Sequence, residues 1–426
     1  MGAQEQAEPA RRGRPGRPAW APGASRPARP AWAARTAPGA DRGHGPFWLR
    51  PSGRTPRQAA GPPGPGVSGP RASGPRGSGP GGSGPGGAAP GGAGRWLAVR
   101  AAALLAIIVA LATAAGFALQ REDSGPAAGW ARSSGHDALW MGHAWVTAGP
   151  GGRSEADLST LAARIRASGI RDVYVRVGPL DDTGRLDPAR YRGAGGFLTR
   201  FRTALPQVRV SAWIGGVTGA GHINLGSAAA RDRIVAGAAA ALRAGFSGVH
   251  YDLEPVESGD TGLLALLDAT RRLHPAPLSV AAPKLEPLPG LRLPAQLATG
   301  RPVFWSTGYL AAVSSRASQV AVMSYDTGMP FQSWYGGYVA RETGLALRAV
   351  PRGTDVLIGL PAYHGSDLGH HASAETVSAA VQGVRAAVTA AGRAAVPPGR
   401  LGVALFADYS ATPMDWESYR HGWVRP

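Results

Sequence analysis

Apolar and polar residues after residue 136 follow two alternating patterns, which together predict a repeated order of strand and helix. The first pattern is a short run of Val, Ile, Leu and aromatic residues, typical of a strand buried in a parallel sheet. It predicts strands at residues 138–146, 171–178, 208–215, 248–254, 277–283, 319–326, 355–363 and 401–408. The second pattern, apolar residues at helical spacing, predicts helices over 154–169, 227–244, 260–273, 334–349 and 373–391.

The first of these helices carries its own start signal. Ser154 stands at the N-cap position with Asp157 three residues later, and apolar residues at helical spacing follow. Eight strands, each followed by a helical or long connecting segment, predict an α/β protein with a (β/α)8 TIM barrel over residues 137–426. In such a barrel the active site lies at the carboxyl ends of the strands.

A third pattern precedes the barrel, where residues 101–119 are 19 consecutive uncharged and mostly apolar positions. This length crosses a bilayer as one helix, so we predict a transmembrane helix within 96–119. The arginine-rich side precedes it, and positive charge favours the cytoplasmic side. We therefore expect a single-pass plasma-membrane protein with a cytoplasmic N-terminus and the barrel outside. The alternatives are a cleaved signal peptide, for which Ala112, Thr113 and Ala114 offer small residues, and a buried helix of a soluble protein.

Composition separates the N-terminal part of the chain from the barrel. Residues 1–95 are rich in Gly, Pro, Ala and Arg and poor in aliphatic residues, which predicts a disordered tail, and 120–136 read as a flexible linker. The tail holds 14 arginines and three acidic residues, so much of the net charge of +18 belongs to it. No nucleic-acid-binding signature accompanies that charge, and we expect no nucleic-acid partner. The chain has no cysteine, so disulfide bonds and thiol nucleophiles are excluded.

Two carboxyl groups in the fourth predicted strand are the first candidates for chemistry. Asp252 and Glu254 lie two residues apart in the apolar stretch GVHYDLE, and His250 precedes them at the same spacing. Alternate residues of a strand face the same side, so all three are expected to point into the barrel mouth. Burying two carboxyl groups raises the pKa of one of them, which a general acid requires. The alternative is an ion-pair network within the barrel.

Several segments resemble, in chain order, motifs of the family 18 glycoside hydrolases, the chitinase-like barrels. AGFSGVHYDLE resembles the family pattern D-G-x-D-x-D-x-E, in which Gly248, Asp252 and Glu254 match, whereas Ser247 and His250 replace the first two Asp. VRVSAWIGG, LSVAAP, VMSYD and LPAYHG resemble the segments of strands 3, 5, 6 and 7. The resemblance covers roughly residues 137–410, and it implies the same barrel fold.

The resemblance also implies roles for three residues in a reaction in which the substrate supplies its own nucleophile. Glu254 would protonate the glycosidic oxygen as general acid. Asp252 would orient the 2-acetamido group that attacks C1 and would stabilise the oxazolinium ion formed. Tyr325 would donate a hydrogen bond to the acetamido oxygen. The substrates would be β-linked N-acetylglucosamine glycans, either chitin-like or peptidoglycan, with no cofactor.

Further residues are expected to contact the sugar. By resemblance, these are Met323, Asp326, Tyr363 and Phe406, the last standing where the family has a stacking Trp. The faces of sugars also stack on indoles, so Trp145 is a candidate, as are Trp213, Trp305 and Trp334, although most of the four are expected in the core.

The departures from the family pattern leave alternatives open. His250 acts on Asp252, as a hydrogen-bond donor or a cation, or it is a core histidine. The protein is a glycosidase, or it is a lectin-like barrel that binds glycans without cleaving them, and in either case we expect a monomer. The stretch YHGSDLGHH could bind a metal through His364, Asp367, His370 or His371, but it lacks a zinc signature, and we expect no metal.

Overall fold

The computed structural model describes residues 92–366, 369–396 and 398–425. The tail predicted over residues 1–95 lies outside this range except for its last four positions, as does Asp367.

Eight parallel strands form a closed barrel, which confirms the predicted TIM-barrel fold. Each strand pairs with its neighbours in chain order, and the last pairs with the first. The strands are β1 (Asp137–Met141), β2 (Ile170–Arg176), β3 (Arg209–Val217), β4 (Gly248–Glu254), β5 (Leu278–Ala282), β6 (Gln319–Val322), β7 (Asp355–Pro361) and β8 (Leu401–Phe406). All eight predicted strands are present, and the largest differences are at the ends of β1 and β6, which stop earlier than the apolar runs do.

Helices lie between the strands and around them. They are α1 (Gly92–Glu122), α2 (Glu155–Arg166), α3 (Ala194–Ala204), α4 (Ala228–Arg243), α5 (Thr261–Leu273), α6 (Arg292–Thr299), α7 (Thr307–Ser314), α8 (Gln332–Ala349), α9 (Val377–Ala391) and α10 (Pro413–Tyr419). All five predicted helices are present as α2, α4, α5, α8 and α9. The predicted capping box also forms, because Ser154 accepts from the backbone of Asp157 while the Asp157 carboxylate accepts from Ser154.

Two apolar layers hold the barrel together. The larger layer lies between the strands and the helices that surround them, and it contains most of the buried Leu, Ile and Val side chains. The smaller layer fills the barrel interior and is rich in aromatic rings, among them Trp140, Tyr174, Trp213, Tyr325 and Phe406. The candidate site lies on this second layer, so its floor consists of rings rather than aliphatic side chains.

The junction between β1 and β8 is held by one buried carboxylate. Only Ala138 and Leu139 of β1 pair in register with β8. Asp137 lies at the start of β1 and is fully buried. Its carboxylate accepts hydrogen bonds from the backbone amide of Val403, the indole of Trp423 and the hydroxyl of Tyr419, as well as from Ser133. These bonds tie the first strand to the last strand and to the residues after α10.

Helix α1 contains the whole predicted membrane span, and its last turns pack on α8. A Cβ atom at Gly337 of α8 would lie 1.7 Å from the carbonyl oxygen of Leu119, so this contact requires glycine. Arg341 of α8 also pairs with Glu122 at 3.2 Å. Among the described residues, no helix combines the length and the apolar character that crossing a membrane requires.

Candidate active site

Asp252 is held by a hydrogen bond from a residue of the neighbouring strand. It lies on β4 directly opposite Gly215 of β3, and Trp213 lies two positions earlier on β3. The indole Nε1 of Trp213 donates to Asp252 Oδ2 at 2.8 Å, and Oδ1 is buried with no hydrogen-bond partner in the described part of the chain. Burial raises the pKa of Asp252, while the Trp213 hydrogen bond and the charge of Arg176 act in the opposite direction.

Glu254 lies at the end of β4, where the barrel opens into a cavity of about 320 Å³ that it helps to line. Burial and then the charge of Asp252 raise its pKa well above the usual value. Lys284 and Arg301 also line the cavity, and their charges act in the opposite direction. A raised pKa favours the protonated form of the carboxyl group, which is the form that a general acid needs.

Tyr325 follows β6 and reaches the same cavity. Its ring is 1% exposed, and its hydroxyl has no hydrogen-bond partner among the described residues. A Cβ atom at Gly359 of β7 would approach the Tyr325 ring to 2.8 Å, so glycine there makes room for the ring. Burial, followed by the charges of Asp252, Asp326 and Glu254, raises the pKa of Tyr325 well above its usual value, so the phenol remains a hydrogen-bond donor.

Met323 and Asp326 line the cavity beside Tyr325, as the resemblance implies. Asp326 has a left-handed backbone with φ of 55°, an uncommon conformation for a residue other than glycine. The hydroxyl of Tyr363 donates to Asp326 Oδ1, while Asp326 Oδ2 is buried with no hydrogen-bond partner in the described residues. The protein therefore holds one oxygen of this carboxyl group, and the other oxygen can accept a hydrogen bond from a ligand.

Phe406 ends β8 in the middle of the aromatic layer. Its ring lies 5.5 Å from that of Tyr325, 5.9 Å from that of Tyr363 and 6.0 Å from that of Trp213. Phe406 is 7% exposed, and the peptide bond that follows it is cis. The structure therefore brings Phe406 together with the other predicted site residues.

Trp145 lies elsewhere, in the layer between strands and helices. Its indole donates to Asp408 at 2.6 Å, its ring packs on Phe197, and it is 6% exposed. Trp305 is also buried and donates to the backbone of Val256. Both indoles lie in that layer and not among the rings of the barrel interior, and Trp334 of α8 packs on Phe331, whereas Trp213 contacts the site by holding Asp252.

The structure decides between the alternatives for His250. This side chain is fully buried, and its Nε2 accepts a hydrogen bond from the indole of Trp140 at 3.0 Å, which leaves Nδ1 to donate to Ser279. The ring also stacks on Tyr174 at 3.9 Å. Burial lowers the pKa of His250 to about 3. His250 is therefore a neutral core histidine, and the interpretation as a cation beside Asp252 is wrong.

The histidines of the loop after β7 separate in the structure. His364 pairs with Asp415 of α10 at 2.9 Å. His370 is buried between Asp326 and Glu375, and ligand atoms of these three residues lie within 4.8 Å of one another. One imidazole and two carboxyl groups are ligands that a metal ion can use.

Sequence reasoning missed four residues that shape the site. Trp213 was considered for stacking and not as a hydrogen-bond donor, and Arg176, Lys284 and Glu375 were not considered. The register of the strands could have indicated Trp213. Gly215 pairs with Asp252, and Trp213, two residues before Gly215, faces the same side of the sheet. The other three lie on separate strands or loops, and no local pattern marks them.

No protein-family model and no curated protein sequence matches the chain. Among solved structures, the spore cortex-lytic enzyme SleL of Bacillus cereus is similar over 69% of this chain and 75% of its own, with 13% identity and a TM-score of 0.48. A chitinase from Chromobacterium violaceum is similar over 68% and 99%, with 18% identity and a TM-score of 0.44. A family 18 chitinase from Cycas revoluta, in complex with (GlcNAc)4, is similar over 67% and 99%, with 14% identity and a TM-score of 0.46.

Proposed function

We propose that the protein is a glycosidase that hydrolyses β-linked N-acetylglucosamine glycans, such as chitin-like chains or peptidoglycan, with retention of configuration. The observation that carries the proposal is the joint arrangement of Asp252, Glu254 and Tyr325 at one end of the barrel. Two carboxyl groups with raised pKa values lie there beside a cavity, together with a buried phenol that has no hydrogen-bond partner in the described part of the chain. A structural ion-pair network would leave fewer polar atoms unsatisfied.

In the proposed reaction Glu254 donates its proton to the glycosidic oxygen as the bond to C1 breaks. The acetamido oxygen of the same sugar attacks C1 and forms an oxazolinium ion. Asp252 Oδ1, which has no hydrogen-bond partner among the residues that the structure describes, accepts a hydrogen bond from the acetamido nitrogen, and the Tyr325 hydroxyl donates to the acetamido oxygen. Water then adds at C1 as the bond between C1 and the acetamido oxygen breaks and restores the acetamido group, while the Glu254 carboxylate takes up a proton from the water, which restores the enzyme.

The alternative is a lectin-like barrel, and the environment of His250 is the observation that favours it. The two family Asp that precede Asp252 are absent, and His250 hydrogen-bonds to Trp140 and Ser279 instead of replacing them. Asp252 therefore depends on Trp213 and Arg176 for its orientation and charge. A glycan binder needs a shaped cleft, but it does not need a protonated carboxyl at position 254.

One assay distinguishes the two functions. The full-length protein in detergent is incubated with chitooligosaccharides and with peptidoglycan fragments, and the products are separated by chromatography. We expect hydrolysis by the wild type and a loss of about a hundredfold or more in turnover for Glu254→Gln, with glycan binding retained. Glu417→Gln, which changes an exposed glutamate of α10, is the matched control and should keep wild-type turnover. Binding by the wild type without hydrolysis of either glycan would favour the lectin-like barrel.

For the location of the barrel we propose the arrangement that the sequence predicts, with residues 101–119 as a membrane anchor and the barrel outside the cytoplasm. The proposal rests on 19 uncharged positions that follow an arginine-rich segment. It fits a substrate in the cell wall, because the wall lies on the same side of the membrane as the barrel.

A further inference from the structure

A buried histidine lies between two carboxyl groups, one of which, Asp326, lines the cavity. His370 is 1% exposed, and its Nδ1 lies 3.2 Å from Asp326 Oδ1 and 3.4 Å from Glu375 Oε2. Its ring stacks on that of Tyr363 at 4.3 Å, and the Tyr363 hydroxyl donates to Asp326. The four side chains come from the ends of two adjacent strands and from the residues before α9, so they join separate parts of the barrel mouth.

Glu375 holds the segment that follows Asp326. Its Oε1 accepts from the backbone amides of Thr327 and Gly328 at 3.0 and 2.9 Å, and from the Thr327 hydroxyl at 3.1 Å. The backbone amide of Gly328 also donates to the carbonyl of Gly369, next to His370. The left-handed backbone of Asp326 is therefore fixed on its C-terminal side by Glu375, while its side chain is fixed by Tyr363.

Charge explains why a histidine lies at the centre of this arrangement. Asp326 and Glu375 are both nearly inaccessible to water, and two buried carboxylates this close would repel each other. A protonated imidazole between them removes that repulsion and is attracted to both. A neutral residue of the same size fills the space but provides no countercharge.

We propose that His370 is a positioning residue, an imidazolium that clamps Asp326 and Glu375 and thereby holds the free oxygen of Asp326 toward the glycan cleft. The inference rests on the proposed function, because Asp326 lines the cavity beside Tyr325 and Glu254. His370 touches no substrate in this scheme and acts through Asp326.

The acid–base behaviour of the trio agrees with the geometry. Burial by itself lowers the pKa of His370, but the hydrogen bonds and charges of Asp326 and Glu375 outweigh it and raise the pKa to about 9. The titratable groups that face the ring are Asp326 after β6, Tyr363 after β7 and Glu375 before α9. Since the folded pKa is above the ordinary 6.5, the clamp stabilises the fold fully below about pH 6.5 and is lost as the pH rises through about 9.

A bound divalent cation is the competing interpretation of the same three residues. A metal ligand must be a neutral imidazole, whereas two flanking carboxyl groups favour the protonated ring. Three of the hydrogen bonds from the segment 327–328 already occupy Oε1 of Glu375, and a metal would compete with them for this carboxylate. Geometry and chemistry both favour the imidazolium.

The test compares His370→Gln, Glu375→Gln and the double variant in the full-length chain. His370→Gln removes the charge and keeps a polar side chain, and we expect kcat on chitooligosaccharides to fall about tenfold to a hundredfold, with a smaller change in KM. In the double variant the amide oxygen at 375 still accepts from residues 327 and 328, and the repelling charge is gone. We therefore expect the double variant to recover about tenfold over His370→Gln. His421→Gln, an exposed histidine paired with Glu417, is the control.

Two further measurements do not depend on hydrolysis. Nitrogen spectra of histidine-labelled protein, with the His370 signal assigned by its absence in His370→Gln, should show both ring nitrogens protonated at pH 7 and deprotonation near pH 9. Metal analysis of the purified protein should find no stoichiometric divalent ion. A neutral ring at pH 7, a bound metal, or a double variant no more active than His370→Gln would each overturn the clamp. A wild type that cleaves no glycan would contradict the proposed function, and the spectra would still decide the protonation of His370.

Discussion

Trp213 and Asp252 are joined across adjacent strands by one hydrogen bond of 2.8 Å, from the indole nitrogen to Oδ2. The opposite oxygen of Asp252 is buried with no hydrogen-bond partner among the described residues. The bond to one oxygen restricts rotation of the carboxyl group and leaves the second oxygen able to accept a hydrogen bond. This bond is therefore expected to orient Asp252 for its role in the site.

Replacing Trp213 with Phe tests this relationship. The ring and its packing on Phe406 are largely kept, but the donor is lost, so Asp252 becomes free to rotate, and its pKa rises because the Trp213 bond lowers it. We expect kcat to fall on the order of tenfold to a hundredfold with little change in thermal stability. Trp334→Phe on α8 is the control. An unchanged kcat would mean that Asp252 is oriented by other contacts.

Removing the N-acetyl group from the substrate tests the mechanism. If the acetamido oxygen attacks C1, fully deacetylated oligomers should not be cleaved, because no protein carboxylate is assigned to attack that carbon. A thiazoline analogue of the cyclised intermediate should bind far more tightly than the parent sugar. Comparable cleavage of acetylated and deacetylated oligomers, measured by mass spectrometry, would indicate a two-carboxylate glycosidase instead.

Acid should destabilise the fold through His250. In the unfolded chain this histidine takes up a proton near pH 6.5, whereas in the fold its pKa is about 3, so its contribution to stability decreases as the pH falls through that interval. We expect a loss of about 2 kcal/mol in the free energy of unfolding between pH 7 and pH 5 from this residue alone. Urea unfolding of the wild type and of His250→Gln measures it. Equal pH slopes for the two proteins would show that His250 is charged or solvated in the fold.

Protease added to intact cells tests the location of the barrel. If residues 101–119 anchor the chain with its arginine-rich side in the cytoplasm, protease should degrade the barrel and leave an N-terminal fragment that cell lysis then exposes. Full protection of residues 137–426 until lysis would contradict this orientation, and release of the barrel into the medium would favour a cleaved signal peptide.

Local signals predicted the elements that depend on neighbouring residues. Helix α2 has its capping box and apolar spacing within a dozen positions, and the eight strands are apolar runs that remain visible without the rest of the fold. Helices α6 and α7 were not predicted. Each has eight residues and follows a proline-containing loop, so the periodic pattern is too short to recognise.

The sequence indicated the candidate residues that stand in recognisable motifs. It did not indicate residues that only the folded chain brings together. Asp252, Glu254 and Tyr325 stand in strand-end motifs, and the structure brings them together. Glu375 lies 48 positions from Thr327, whose backbone amide it accepts from, and its contact with His370 depends on the path of the loop between β7 and α9. Trp145 was predicted to contact the sugar because indoles suit sugars, but its ring packs in the layer between strands and helices, where its indole donates to Asp408.

The hydrogen bonds of the Asp137 carboxylate can form only after the C-terminal part of the chain has been synthesised. Two of its partners, Val403 and Trp423, lie 266 and 286 positions downstream. A ribosome that adds about 5 to 20 residues per second needs on the order of tens of seconds to reach them. During that time the edge of β1 that pairs with β8 in the fold is unpaired, and the Asp137 carboxylate is in water. An unpaired strand edge can pair with strands of other chains and lead to aggregation. The same four hydrogen bonds that close the finished ring therefore set a minimum delay before the protein is protected from aggregation.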